Sequence, residues 1–131
     1  MVLITPDSGY MIAQYTAAAL VNEIKILAHP ASIDSIPTSA GMEDFVSMGV
    51  TAALKLRQVI DLTHLVVAIE LLCAAQGLDF RRPLRPGRGV ARAYDLLRAL
   101  VPALTVDRTP SPDIEAVSSG IRSGLFDGPG L

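Results

Sequence analysis

One cysteine, Cys73, and two histidines, His29 and His64, are all that this 131-residue chain holds of the residues that build disulfides and most closed metal sites. A single cysteine cannot pair internally, and with two distant histidines it gives none of the ligand spacings of a zinc site, so no metal is expected. Charge of one sign is scarce as well. Eleven basic and 13 acidic residues leave a net charge of -2, and nucleic-acid binding, which needs a clustered basic face, is not expected. Arg81, Arg82, Arg85, Arg88 and Arg92 come nearest to such a face, but they sit among Pro83, Pro86, Gly87 and Gly89, as in a solvated connecting segment. Long uninterrupted apolar runs are missing. Gln14, Asn22, Glu23 and Lys25 break one apolar stretch and His64, Glu70 and Gln76 the other, so neither offers the ~18 unbroken residues of a membrane span. The glycines around Arg88 lack a preceding strand and the spacing of a dinucleotide loop. A charged leader with a small-residue cleavage site is also missing, and a reducing, cytoplasmic home is the expectation.

What the chain has in excess is apolar residues, at 50% of the total and a mean hydropathy of +0.43 in 13.9 kDa. That is high for one small domain with so much surface relative to its volume, and it calls for a partner surface. No composition shift divides the chain, so residues 1–131 are expected to form one unit.

The periodicity is helical throughout, and no convincing period-2 alternation occurs, so the expected fold class is all-α: one long helix plus shorter ones. From about Gly9 to His29, Met11, Ile12, Tyr15, Ala18, Ala19, Val21, Ile24 and Ile26 predict a largely buried helix that Pro30 ends. Residues 31–41, with Ser32, Ser35, Thr38, Ser39, Pro37 and Gly41, read as a loop. Glu43 and Asp44 then open a proline-free run to about Gly77, a helix roughly 50 Å long at 1.5 Å per residue. Ser47, Thr51, Lys55, Gln58, Asp61 and His64 form one polar stripe on its first half, whereas Leu65 to Ala75 is apolar on all sides except for Glu70. The second half therefore predicts a helix surrounded by protein, more than three short segments of the same chain can supply. Val90, Tyr94, Leu97, Val101 and Leu104 mark a third helix that Pro102 kinks or ends. Ser111 offers an N-cap to a fourth, with Pro112 and Asp113 in its first turn and Ile114, Val117 and Ile121 on its apolar face. Gly124, Gly128 and Gly130 predict a flexible tail over about 124–131.

Nucleophilic catalysis needs a nucleophile within hydrogen-bond reach of a base. His64 and Cys73 stand nine residues apart, roughly 13 Å along a helix, too far to touch. His64 reads as the end of the polar stripe. The most informative stretch is Ser35 to Gly49, a hydroxyl-rich loop that feeds two carboxylates into the long helix.

Together with Ser8 to Gln14, Thr16 to Val21, His29 to Ser39, Ala68 to Leu72 and Ala75 to Asp79, this stretch closely resembles the C-terminal part of histidine ammonia-lyase, of the aromatic amino acid ammonia-lyase family. Pro112 to Glu115 is similar to that family's closing helix. The resemblance implies the last quarter of a subunit of a larger helical-bundle lyase fold, a homotetramer whose long helices pack in a central bundle. It implies conversion of L-histidine to trans-urocanate and ammonia, with a tyrosine or phenylalanine ammonia-lyase or 2,3-aminomutase as the alternative. The family's electrophile is a methylidene-imidazolone formed from an internal Ala-Ser-Gly, which this chain lacks. Ser118-Ser119-Gly120 does not match it, so no cofactor-binding residue is expected here and the chain alone is expected to be inactive.

Of the family's active-site residues, Glu43 carries over, matching a glutamate that faces the substrate imidazole and assists deamination. Phenylalanine and tyrosine enzymes usually carry glutamine there. A carboxylate can pair with a ring nitrogen or take its proton, which an amide cannot. By periodicity alone, Glu43 and Asp44 would complement the positive end of the helix dipole. Met11 is a second candidate for the substrate pocket, though a methionine on an apolar helix ordinarily packs. Phe45 stands where histidine enzymes commonly have histidine, and Met42 where glutamine is frequent. A reading from a different class is a stand-alone helical association module, motivated by the excess apolar surface.

Overall fold

A computed structural model describes residues 8–128 as four helices, with a short 3-10 turn at Ala31–Asp34 and a tight turn at Ser39–Gly41. The helices are α1 (Met11–Leu27), α2 (Gly49–Asp79), α3 (Arg88–Leu100) and α4 (Ser111–Arg122). The described residues contain no strand, so the all-α expectation holds. α2 is the spine, with α1 and α4 packed along it and α3 touching both α2 and α4. At 31 residues it is roughly 46 Å long.

The core sits on the C-terminal half of α2. Ala68, Ile69, Leu72 and Ala75 are buried at spacings of one, three and three residues, one face of a 3.6-residue period. Against them pack Ala13 of α1, Leu97 and Val101 at the end of α3, and Ile114 and Val117 of α4. The chain covers the Leu72 face from its own helices, but Val67, Glu70, Cys73 and Ala74 on the same half of α2 are exposed, so this chain alone does not surround that half. Much of the uncovered apolar surface lies on the first half of α2, at Val50, Leu54, Leu56 and Ile60, and on α1, where Met11, Ile12, Tyr15, Val21 and Ile26 are exposed. α1 is therefore not largely buried. Ala13 is its buried residue, because only one face of the helix meets α2 and no other described segment lies against its outer side. By length and by a mean hydropathy of 1.7 over its most apolar window, α2 could cross a bilayer; in this fold that helix carries the core.

α2 also begins later than the acidic pair suggests. Glu43 and Asp44 lie in the preceding loop, and the helix starts at Gly49 after Met48 takes up a left-handed conformation (φ 50°). The loop serines explain the delay. Ser35 Oγ accepts from the Val46 N–H at 2.6 Å, and Ser32 Oγ donates to the Ser47 carbonyl at 2.6 Å. Such local bonds offer the backbone an alternative to the helix.

α3 stops where expected, with Val101 extended (φ -136°) ahead of Pro102. The expected arginine-rich connector is shorter than its arginines suggest: α3 already begins at Arg88, so Arg88 and Arg92 are helical and only Arg81, Arg82 and Arg85 lie between the helices, with all five exposed. Ser111 does not cap α4: it is the first helical residue, Pro110 holds the cap position, and no side chain bonds to the helix end. Asp113 is engaged instead by Arg108, whose Nη2 lies 2.7 Å from its Oδ2.

At the other end of α4, Gly124 (φ 74°) donates to the Ile121 carbonyl and Leu125 to the Gly120 carbonyl, each at 3.0 Å. This pair of bonds is a Schellman closure, which needs a left-handed residue and so favours glycine. Phe126 packs on the core beyond it. Residues 129–131 of the expected tail lie outside the described residues.

A polar network joins α2 to α3. Asp79 accepts from Arg98 Nη2 at 2.7 Å and from the Tyr94 hydroxyl at 2.5 Å, and Arg98 also reaches the Val101 carbonyl at 3.2 Å. Gln76, buried on the same turn, clasps the Leu104 backbone through both its amide atoms, at 3.0 and 2.9 Å.

Candidate active-site loop

The 21 residues between α1 and α2 carry Glu43. Lys55 Nζ donates to the His29 carbonyl, tying the end of α1 to the first half of α2. The two helices are antiparallel, since Leu27 and Ala28 border Ala52 and Leu56 while Ala13 belongs to the cluster around Leu72.

Within the loop, Thr38 and Glu43 face each other as an isolated antiparallel bridge. Thr38 N–H donates to the Glu43 carbonyl at 2.8 Å, and Glu43 N–H returns to the Thr38 carbonyl at 3.3 Å. The tip between them is tight. Ser39, Ala40 and Gly41 have φ of 54°, 53° and 87°, three successive residues in the left-handed region. For a residue with a Cβ this conformation costs roughly 1–2 kcal/mol, and such strain, where observed, marks a segment worth a functional hypothesis. Thr38 Oγ1 donates to Glu43 Oε2 at 3.2 Å. No bond to Oε1 is seen among the described residues. The carboxylate is thus held through one oxygen, with the other open to solvent and flanked in sequence by exposed Met42 and Phe45.

Met11 sits elsewhere. It opens α1, 44% exposed, at the end that Asp107 fixes by accepting the Ser8 and Gly9 N–H groups at 2.6 and 2.9 Å. The length of α1, roughly 24 Å from Met11 to Leu27, lies between it and the end where the Glu43 loop departs. Within one chain Glu43 and Met11 do not share a pocket.

His64 is half-buried on α2 with Nδ1 unbonded, and His29 is exposed at the loop entrance. Cys73 is exposed, and partial desolvation pushes its thiol up from the ordinary value. No group of three or more His, Cys, Asp or Glu side chains that could hold a metal occurs among the described residues. Thr38 is the residue that sequence reasoning passed over. It counted there as one loop hydroxyl among four, although a β-branched residue five positions before a carboxylate can close a short hairpin onto it.

The sequence profile of the aromatic amino acid lyases matches residues 3–99.

The chain belongs to the aromatic amino acid lyase family.

Among its relatives in that family, the histidine ammonia-lyase of Myxococcus xanthus is 60% identical over 118 residues, which is 90% of this chain and 23% of that protein. The crystal structure of histidine ammonia-lyase from Trypanosoma cruzi superposes with a TM-score of 0.87 at 47% identity, covering 92% of this chain and 24% of that one. A tyrosine aminomutase structure from Streptomyces globisporus gives a TM-score of 0.85 at 37% identity, covering 92% and 23%. This lyase-family chain therefore spans about a quarter of the length of the curated relatives it matches.

Its own residues do not fit the family's electrophile. Ser118-Ser119-Gly120 lies inside α4, with the Ser118 side chain buried and bonded by Arg122 Nη2 at 3.2 Å. Gly120 serves packing, since a Cβ there would meet Leu100 Cδ1 at 3.1 Å.

Proposed function

We propose that this chain forms the C-terminal part of a histidine ammonia-lyase-type enzyme, which converts L-histidine to trans-urocanate and ammonia, and that it is inactive by itself. The observation that carries the reading is the 60% identity to a histidine ammonia-lyase over nine-tenths of the chain, joined to an exposed carboxylate at Glu43. In that enzyme Glu43 accepts a hydrogen bond from the substrate's ring N–H or takes its proton, so a neutral amide at this position weakens both orientation and proton transfer. The remaining parts come from outside the chain. The methylidene-imidazolone belongs to an Ala-Ser-Gly elsewhere in the subunit, and residues 118–120 take no part in forming it. Sister subunits of a cytoplasmic homotetramer cover the exposed faces of α1 and α2, and Met11 reaches a substrate pocket only from a subunit other than the one that supplies its Glu43. Neither nucleic acid nor membrane is a partner.

The test uses the complete subunit that contains this segment. Urocanate formation, followed by its absorbance, is expected with histidine, and Glu43→Gln is expected to lower kcat by roughly 100-fold, within the range of a lost acid–base group. Turnover of tyrosine or phenylalanine without histidine would overturn the substrate assignment, and lyase activity from the isolated 131 residues would overturn the division of labour.

A further inference from the structure

We propose that Thr38 is a positioning residue for the Glu43 carboxylate; the inference rests on the reading of Glu43 as a substrate-facing group and adds the device that aims it. Three bonds join the two residues: the reciprocal backbone pair at 2.8 and 3.3 Å and the Thr38 Oγ1 bond to Glu43 Oε2 at 3.2 Å. The backbone pair fixes where the Glu43 Cα stands, but a glutamate has three further side-chain torsions. The hydroxyl restrains the last of them, because engaging Oε2 leaves Oε1 to point away from the loop.

The surroundings serve the same end. Thr38 is extended (φ -124°, ψ 175°), a conformation that β-branched residues favour. The left-handed run over Ser39, Ala40 and Gly41 brings the chain back within five residues, so that Thr38 lies opposite Glu43. The loop's ends are clamped by Ser35 and Ser32 on the Val46 and Ser47 backbone. None of these residues contributes to the hydrophobic core. An exposed loop that adopts strained backbone and places a hydroxyl on one oxygen of one carboxylate gains nothing for packing by doing so. The arrangement is explained by a need to hold that carboxylate in one orientation, as pre-organised sites require.

The experiment is a double-mutant cycle in the complete subunit, with histidine as substrate. Thr38→Val keeps the branched shape and the extended preference and removes only the hydroxyl. It is expected to lower kcat roughly tenfold, the order of one hydrogen bond to a charged group, with KM changed less than about twofold, because the ring contact itself survives in a less populated geometry. Thr38→Ser, which restores a hydroxyl, is expected to recover most of the loss. In the Glu43→Gln background Thr38→Val is expected to have little further effect, because the group it aims is gone. An equal tenfold loss in both backgrounds, or no rescue by serine, would overturn the proposal and leave Thr38 as a structural loop residue. If Glu43→Gln itself leaves kcat unchanged, the reading of Glu43 fails first, and that outcome is separate from any result at Thr38.

Discussion

Replacing Asp79 by alanine removes the acceptor on which the α2–α3 junction converges. Its carboxylate is 16% exposed, and its partner Arg98 12%. Removing one partner of a buried ion pair costs about 3–5 kcal/mol, since the other charge stays behind without compensation. The lower end applies here, about 3 kcal/mol, because Arg98 keeps the Val101 carbonyl and stacks over the Tyr94 ring at 5.6 Å. Arg98→Met costs less, about 2 kcal/mol, because Asp79 retains the Tyr94 hydroxyl and has Arg82 at 3.6 Å. The double variant should lose clearly less than the sum, a coupling of about 1.5 kcal/mol. Urea unfolding followed by helical circular dichroism reads all three. With an m-value of about 2 kcal/mol/M, Asp79→Ala moves the midpoint down by about 1.5 M. Single effects that add to within about 0.5 kcal/mol would show that the two side chains do not act as a pair, and the account of the junction would fall.

The covered and uncovered sides of α2 should answer mutation differently. Leu72, 1% exposed, should cost about 3 kcal/mol as alanine, whereas Ile60→Ala, at 47% exposed, should cost the chain less than about 1 kcal/mol in the same urea assay; the reverse order would misplace the core. Alkaline stability gives an independent check. Burial holds the Tyr10 phenol above its ordinary value near 10 and the Cys73 thiol above its value near 9. A proton held more tightly in the folded state lends stability that is present below the unfolded value and lost as pH rises toward the folded one. Stability should therefore decline as pH rises past about 9. The Tyr10 hydroxyl is also buried without a partner, so Tyr10→Phe should leave neutral stability equal or higher by about 1 kcal/mol and flatten the alkaline decline. A loss above 1 kcal/mol at neutral pH would mean that the hydroxyl has a partner after all.

Helix content and the later boundaries were legible from periodicity, because Ala68, Ile69, Leu72 and Ala75 repeat at the helical spacing and Pro102 stops α3 by simple sterics. The start of α2 was not. Glu43 and Asp44 look like a first helical turn, and the bonds that hold them off the helix come from Ser32, Ser35 and Thr38, whose partners only the fold reveals. The same holds for Asp79: its meeting with Tyr94 and Arg98 depends on how α3 turns back after the proline-rich connector, while in sequence Tyr94 reads as one more apolar position. Apolar excess pointed to missing partners but not to where they bind, since composition does not say which face the chain's own helices take first. Glu43 was found through family resemblance; Thr38 needed the loop's geometry.

Met42 and Phe45 stand 86% and 65% exposed beside Glu43, and neither lends anything to the core. Mutations at such sites escape the stability threshold that purges most changes in a marginally stable protein. On the proposed reading of Glu43, a lineage can therefore try one side chain after another at positions 42 and 45 beside the same carboxylate, while the four-helix frame is inherited unchanged.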